Sequence, residues 1–434
     1  MTRKIKAKVS IKGTLKAATP LSVGGTGAGE HVDIELAIDG TGQCYIPGTS
    51  LAGAIRSWLE RQGCNENFFG QKDSEASRIY VYDAAIPYAI KERRHGISIN
   101  DNTGTVFGRE GFFYTRAILP RGTSINFNVE LDIINENDGG MLALIVEALE
   151  AGKIRFGGCK TRGMGKLYLI DTEINYYDFM NDDSAFDSWL ENKPAAINSL
   201  ENFSKPQLNK NESFNVKINW KPESNLMVKS GLDGISTKIM PLVSGIDEEG
   251  KIIAPVIPGT SLKGLFRAHA RKILNTLKSE KFNIVDDIFG DDQKAGRLMI
   301  DDVYCITEQS ALFENWIEED SNTLNILTSE NQYVAIDRFT GGASQGALYN
   351  ARPVKNLFAW EAVNMTLNIF PEIPDNILNQ ELALLKLLVR DFCEGYISVG
   401  FGSRRGLGKI GGEAEFINFP SDDELQKSLN ELLN

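Results

Sequence analysis

Polar and apolar residues alternate through Ile5–Ile11 and again through Phe214–Trp220, and that alternation predicts a half-buried strand at each place. A stripe at helical spacing follows each: Leu51, Ala54, Ile55, Trp58 and Leu59 in one case, Leu262, Leu265, Phe266, Ala270 and Ile273 in the other. Further along, the pattern predicts a strand over 125–133 with a helix over 142–149, and a strand over 362–369 with a helix over 381–389. A β-rich middle separates these from the first helices, and a glycine-rich ending closes each series.

The two series are copies of one another. Pro47-Gly48-Thr49-Ser50-Leu51 recurs as Pro258-Gly259-Thr260-Ser261-Leu262, an offset of 211 (258 against 47), and the match runs on through Gly53/Gly264 and Arg56/Arg267. Phe69-Gly70 with Phe289-Gly290, Asp83 with Asp302, and Ile99-x-x-x-Thr103-Gly104 with Ile336-x-x-x-Thr340-Gly341 follow in the same order. The last pair, Arg162-Gly163-Met164-Gly165-Lys166 and Arg405-Gly406-Leu407-Gly408-Lys409, is offset by 243 (405 against 162), so the second copy carries extra residues in its middle. The expected organisation is a first domain over 1–175, a linker over 176–212 with a short helix near Phe186–Glu191, a second domain over 213–421 and a tail over 422–434. Strand, helix, strands, helix, strand is the ferredoxin-like (RRM-like) α+β order, with helices on one face of an antiparallel sheet. The other face is left open, and RNA-recognition modules of this type use it.

Composition narrows the chemistry. With 434 residues and 42% apolar content each copy can bury a core, while Asp+Glu 58 against Lys+Arg 46 leaves a net charge of −12. Nucleic-acid binding through a global positive field is excluded, so any RNA contact has to be local. The basic start is not followed by an apolar run, and no stretch approaches the roughly 18 apolar residues of a membrane span, so a soluble cytoplasmic protein is expected. Cys44, Cys64, Cys159, Cys305 and Cys393 lie far apart without a CxxC, which indicates neither a disulfide framework nor a zinc cluster. The histidines are His31, His95 and His269, too few and too scattered for most triads or an HExxH site.

Thr49, Ser50, Thr260 and Ser261 stand just ahead of helical runs, where hydroxyls cap orphan amides and a preceding glycine lets an anion approach the helix end. Arg56 and Arg267, two turns in, fit either a solvated face or a phosphate contact. The endings 156–166 and 399–409 mix glycines, which aim successive N–H groups at one anion, with fixed cations. Such loops suit a polyanion held without reading its bases; a P-loop is absent. The first glycine-rich loop, 21–33, ends on an isolated acid, Asp33, with Asp39 behind it, and isolated loop aspartates are mostly caps or solvated charges. Counting back the same distance from Pro258 gives Ser244, with Asp247 and Asp233 as the nearest acids of the second copy.

Together, LxVGG…YIPGTSLxGxxR, RxYVxDA, IxxxTG and GGxKTRGxGK resemble the RAMP superfamily of CRISPR-associated proteins, over nearly the whole chain and in two copies. Within it the chain is most similar to tandem backbone subunits of type III, III-D-like, effector complexes. The resemblance implies two RAMP domains, each a palm gripping guide RNA, with β-hairpin thumbs at about 85–115 and 303–350 wedged into the guide–target duplex. It implies guide-phosphate contacts from Ser50, Arg56, Arg162, Lys166, Ser261, Arg267, Arg405 and Lys409. The implied partners are guide RNA, complementary target RNA and other subunits of an antiviral ribonucleoprotein. It further implies that a loop aspartate cuts target RNA with Mg2+ or another divalent cation; Asp33 falls at that place, as catalytic residue and metal ligand, with His31 in support. In the second copy Met240, Pro241 and Ser244 occupy the aligned stretch, and a second cut would fall to Asp247, with Asp233 behind it. Two other readings stay open: a non-catalytic RNA-binding scaffold whose Asp33 caps its loop, and a RAMP guide-processing endoribonuclease, for which His31 is the candidate histidine.

Overall fold

The computed structural model describes every residue except 1–3, 26–31, 65–66, 72–74, 101–112, 198, 208–212, 232–233, 292, 308–310, 370–372 and 434. His31, Asp233, Thr103 and Gly104 lie outside the described residues. The chain forms two compact units: residues 1–92, 116–160 and 164–211, and residues 93–115, 161–163 and 212–434.

The first half of the chain runs β1 (Ala7–Ala17), α1 (Gly48–Arg61), β2 (Ile79–Val81), β3 (Glu92–Ile97), β4 (Phe113–Ile118), β5 (Ser124–Ile133), α2 (Glu136–Glu150), β6 (Leu167–Asp178) and α3 (Ala185–Leu190). Its main sheet is antiparallel in the order β2-β5-β1-β6, with Val9 opposite both Leu131 and Tyr176, and β3 pairs with β4. Alternate residues of β1 and β5, among them Val9, Ile11, Leu15, Val129 and Leu131, enter one core with Leu51, Ile55, Trp58 and Leu59 of α1. The predicted stripe is thus the buried face. β6 runs to Asp178, past the expected boundary at 175, and the linker region belongs to the first unit, with Leu200 in its core.

The second half runs β7 (Phe214–Pro222), β8 (Val243–Gly245), β9 (Ile252–Ile257), α4 (Gly259–Leu277), α5 (Asn283–Phe289), β10 (Leu298–Ile300), β11 (Val303–Ile306), α6 (Phe313–Ile317) and α7 (Ser321–Leu327). It continues with β12 (Asn331–Tyr333), β13 (Tyr349–Ala351), β14 (Val363–Leu367), α8 (Asp375–Cys393), β15 (Ile410–Ile417) and α9 (Asp422–Leu433). The sheet β10-β14-β7-β15 repeats the order of the first, with Ile218 of β7 opposite Val363 and Ala414. Residues 303–350 are more than a hairpin: α6 and α7 precede the β12–β13 pair and pack Trp316, Leu324 and Leu327 against Met240 and Ile253. The expected tail is α9, an amphipathic helix that buries Leu425 and Leu432 in the second core.

One buried ion pair recurs in both units. Arg78, just ahead of β2, meets Asp138 of α2 at 2.5 Å, and Arg297, just ahead of β10, meets Glu381 of α8. Burial pushes the Glu381 carboxyl up, against the pull of the Arg297 guanidinium. Each of the five cysteines is free, and no described helix is long and apolar enough to cross a membrane.

Candidate functional site

The two Pro-Gly-Thr-Ser turns start α1 and α4, but not by hydroxyl capping. Pro47 and Pro258 are the N-cap residues, each extended, and the four hydroxyl residues already lie in the first helical turn without a side-chain capping bond. The expectation that Thr49, Ser50, Thr260 and Ser261 cap these ends is therefore corrected. Carboxylates from across the fold do it: Gly48 N donates to Asp83 Oδ1 at 2.7 Å and Gly259 N to Asp302 Oδ1 at 2.8 Å. The approach is close enough to require glycine, since a Cβ on Gly48 would stand 2.1 Å from the Val81 carbonyl and one on Gly259 2.2 Å from that of Ile300. Asp83→Ala is expected to cost about 1–2 kcal/mol of stability, read as a lower denaturant midpoint at unchanged m, and Asp83→Asn, which keeps the acceptor, much less.

With its hydroxyl not used for capping, Ser50 faces a cleft of about 350 Å³ lined by Val23, Gly24, Ser50, Gly53, Ala54, Gly157, Gly158 and Lys160. The glycine-rich ending forms one wall. Gly158 N donates to Ser22 O at 2.8 Å, and Gly157, at φ 72°, passes so close to that carbonyl that a Cβ would sit 2.4 Å from it. Lys160 supplies a cation whose pKa is lowered, first by burial and then by the neighbouring Arg61. Sequence reasoning missed Arg116, whose Nη1 lies 3.3 Å from Ser22 Oγ and 3.2 Å from where a Gly158 Cβ would be. Its only sequence signal is a lone cation in an apolar strand, YTRAI. A small, polar, cation-bearing cleft walled by backbone suits a phosphate group.

Asp33 is exposed, between buried Val32 and half-buried Ile34, in an extended segment joined to the cleft rim. Gly24 bridges Leu36, Ala37 N donates to Val23 O, and Ile34 bridges Arg116. The second unit repeats these links: Leu226, Lys229, Ile239 and Pro241 stand where Leu21, Gly24, Ile34 and Leu36 stand, each 205 residues on, and their bridge partners Ala351 and Val354 match Arg116 and Leu119. The residue at the place of Asp33 is therefore Lys238, not Ser244. The offset is 205 here and 211 at Pro258, so six residues are inserted, and 246–251 are the turn between β8 and β9. Asp247 lies in that turn, its Oδ1 accepting from Ile252 N at 2.9 Å, while Ser244 is buried in β8.

The expected phosphate contacts have varied surroundings. Arg56 pairs with Glu60 at 3.1 Å, Arg267 with Asp286 at 2.9 Å and Lys409 with Glu223 at 2.7 Å. Arg405 lies over the rings of Phe401, Tyr333 and Tyr349, 5.5–5.7 Å from their centroids, and Lys166 over Tyr168 at 5.5 Å. Arg162 is exposed, as is Ser261 in the first turn of α4. Next to it Lys263 is buried, donating to Leu298 O at 2.7 Å and Thr161 O at 3.3 Å; burial, then Arg162 and Arg267, bring its pKa down to about 7. The unfolded chain then holds this proton between about pH 7 and the ordinary lysine range and the folded chain does not. Lys263 thus contributes stability present at high pH and lost as pH falls towards 7, so wild type is expected to gain in denaturant midpoint relative to Lys263→Met between pH 7 and 10; a flat difference would count against it. His95 binds Thr115 and stacks on Phe113, and His269 meets Asp391 at 2.8 Å, so neither lines the cleft. Among the described residues no group of three or more His, Cys, Asp or Glu gathers to hold a metal.

The duplicated α+β units define a two-copy protein, with a backbone-walled, cation-bearing cleft in the first unit. A family model for the RAMP superfamily matches residues 14–168 and 254–410, and the chain belongs to that superfamily, as a tandem member. It is also similar to the CRISPR system Cms endoribonuclease Csm3 of Methanocaldococcus jannaschii, 26% identical over 204 residues, which are 39% of this chain and 82% of that protein.

Proposed function

We propose that this chain is a guide-RNA-binding backbone subunit of a type III, III-D-like CRISPR effector complex that cleaves complementary target RNA through Asp33. The observation that carries the reading is the link between Asp33 and the cleft: the segment holding the carboxylate pairs with Val23–Gly24, which together with Ser50, Gly157, Gly158 and Lys160 line a polar cleft walled by backbone. The strand order of both sheets supports ferredoxin-like palms, and the β3–β4 and β12–β13 pairs support thumbs. Similarity to an endoribonuclease of a CRISPR system supports the activity.

In this reading the cleft holds guide phosphates, and a target nucleotide is splayed beside Asp33. The target's own 2′-OH attacks the adjacent phosphorus, the 5′-oxygen leaves, and the products are a 2′,3′-cyclic phosphate and a 5′-hydroxyl. Asp33 orients that hydroxyl and accepts its proton. A single carboxylate fits a hydrated divalent cation that takes its remaining ligands from water and RNA phosphates, as magnesium commonly does. When bound, that cation supplies charge stabilisation at the phosphodiester. The test is target-RNA cleavage by the assembled complex with Mg2+, with EDTA, and with Asp33→Ala, Asp247→Ala and the double variant, Asp247 being the second copy's candidate. Cleavage unchanged by Asp33→Ala would favour the scaffold reading.

A further inference from the structure

We infer that in the second unit the counterpart of the Asp33 segment is a clip for a phosphodiester oxygen of the target strand, with Lys238 as its cation. The inference rests on the reading above, because it takes the place of Asp33 to be where the target backbone passes. The matched bridges of Leu226, Lys229 and Ile239, and the bond from Leu242 N to Val228 O that repeats Ala37 N to Val23 O, put Lys238 at that place. The charge there is reversed. A carboxylate gathers a divalent cation or accepts a proton; an ammonium repels the cation and attracts the phosphate itself.

The surroundings of Lys238 hold it out towards solvent. Asn350 of β13 accepts from Lys238 N at 2.9 Å and donates to Ser236 O at 3.1 Å. The Glu319 carboxylate, just past α6, accepts from Ser236 N at 3.1 Å, from Thr237 N at 3.4 Å and from both hydroxyls. Thr237 and Ile239 on either side are buried, while Lys238 is exposed. Both anchors belong to the middle of the second copy, Glu319 to the turn between α6 and α7. The position opposite also differs: where Ile34 bridges Arg116, Ile239 bridges Ala351.

The experiment is a target-RNA binding titration of the assembled guide complex over a series of salt concentrations. Lys238→Ala is expected to raise Kd about three- to tenfold and to flatten the slope of log K against log salt by about 0.7–0.9, the signature of one lost phosphate contact. Lys238→Arg is expected to keep both near wild type. Unchanged Kd and slope in Lys238→Ala overturns the clip. So does equal weakening in Lys238→Arg, which would mean that packing and not charge matters, or a loss confined to subunit assembly, which would mean a protein contact. The underlying reading fails separately: if Asp33→Ala leaves every cut in place while Lys238→Ala weakens binding with the flatter slope, the cleavage assignment falls and the clip stands.

Discussion

Asp33→Ala in the assembled complex is expected to abolish one target-RNA product while target binding holds. The size of the effect follows from what the carboxylate does. A positioned general base contributes roughly 100- to 10,000-fold, and Asp39, the next aspartate along the segment, is occupied by Thr41 and Gln43 of its own turn. Asp33 is exposed and lies outside the core of its unit, so its loss leaves the fold intact and the effect is one of rate. Asp33→Asn separates the roles: it keeps the shape and an acceptor but neither takes a proton nor carries charge, and a loss as deep as that of alanine assigns the work to the charge. The remaining bands report on the second unit. A band that disappears with Asp247→Ala assigns it a cut from the β8–β9 turn; a complex silent after Asp33→Ala alone has one cutting residue in this chain.

Duplication was legible in the sequence because paired motifs such as Pro-Gly-Thr-Ser-Leu and Arg-Gly-x-Gly-Lys mark both ends of each copy, and the helical stripes behind them are the buried faces of α1 and α4. What lay between anchors was not. Alignment by counting back from Pro258 assumed no insertion ahead of the turn, and six residues added to the β8–β9 hairpin, between Leu242 and Val256, moved the place of Asp33 from Ser244 to Lys238. Only backbone pairing fixes that register, because polar loop residues carry no periodicity to align. The helix caps misled for a related reason: local hydroxyls stood at plausible positions, but the acceptors, Asp83 and Asp302, come from 35 and 43 residues away. Asp83 and Asp302 were recognised as a matched pair without their purpose being visible. Likewise the neighbours of Arg56 and Arg267 are set by Glu60 and by Asp286 of α5, and nothing in the repeat of an arginine tells a phosphate contact from an ion pair.

Breaking the buried pair of the second unit is expected to be the costliest single change to its stability. Arg297→Met leaves Glu381 in a site with essentially no exposure, and removing one partner of such a pair typically costs about 3–5 kcal/mol. The cost depends on pH. With its guanidinium partner gone, the Glu381 carboxyl, already raised by burial, rises further, so the folded chain takes a proton where the unfolded chain does not. Below the ordinary carboxylate range both states are protonated at this residue, and the destabilisation is smallest there; it grows as pH rises towards neutrality. The double variant Arg297→Met with Glu381→Leu is expected to recover most of the loss, because two apolar groups of similar size leave no charge unpaired, and urea midpoints of the four proteins give the coupling directly. Arg78 and Asp138 allow the same cycle in the first unit. There Asp138 also accepts from Ile134 N at 3.0 Å and Asn135 N at 2.9 Å ahead of α2, so its replacement removes a helix cap as well as the ion pair and recovery by an apolar pair should be incomplete.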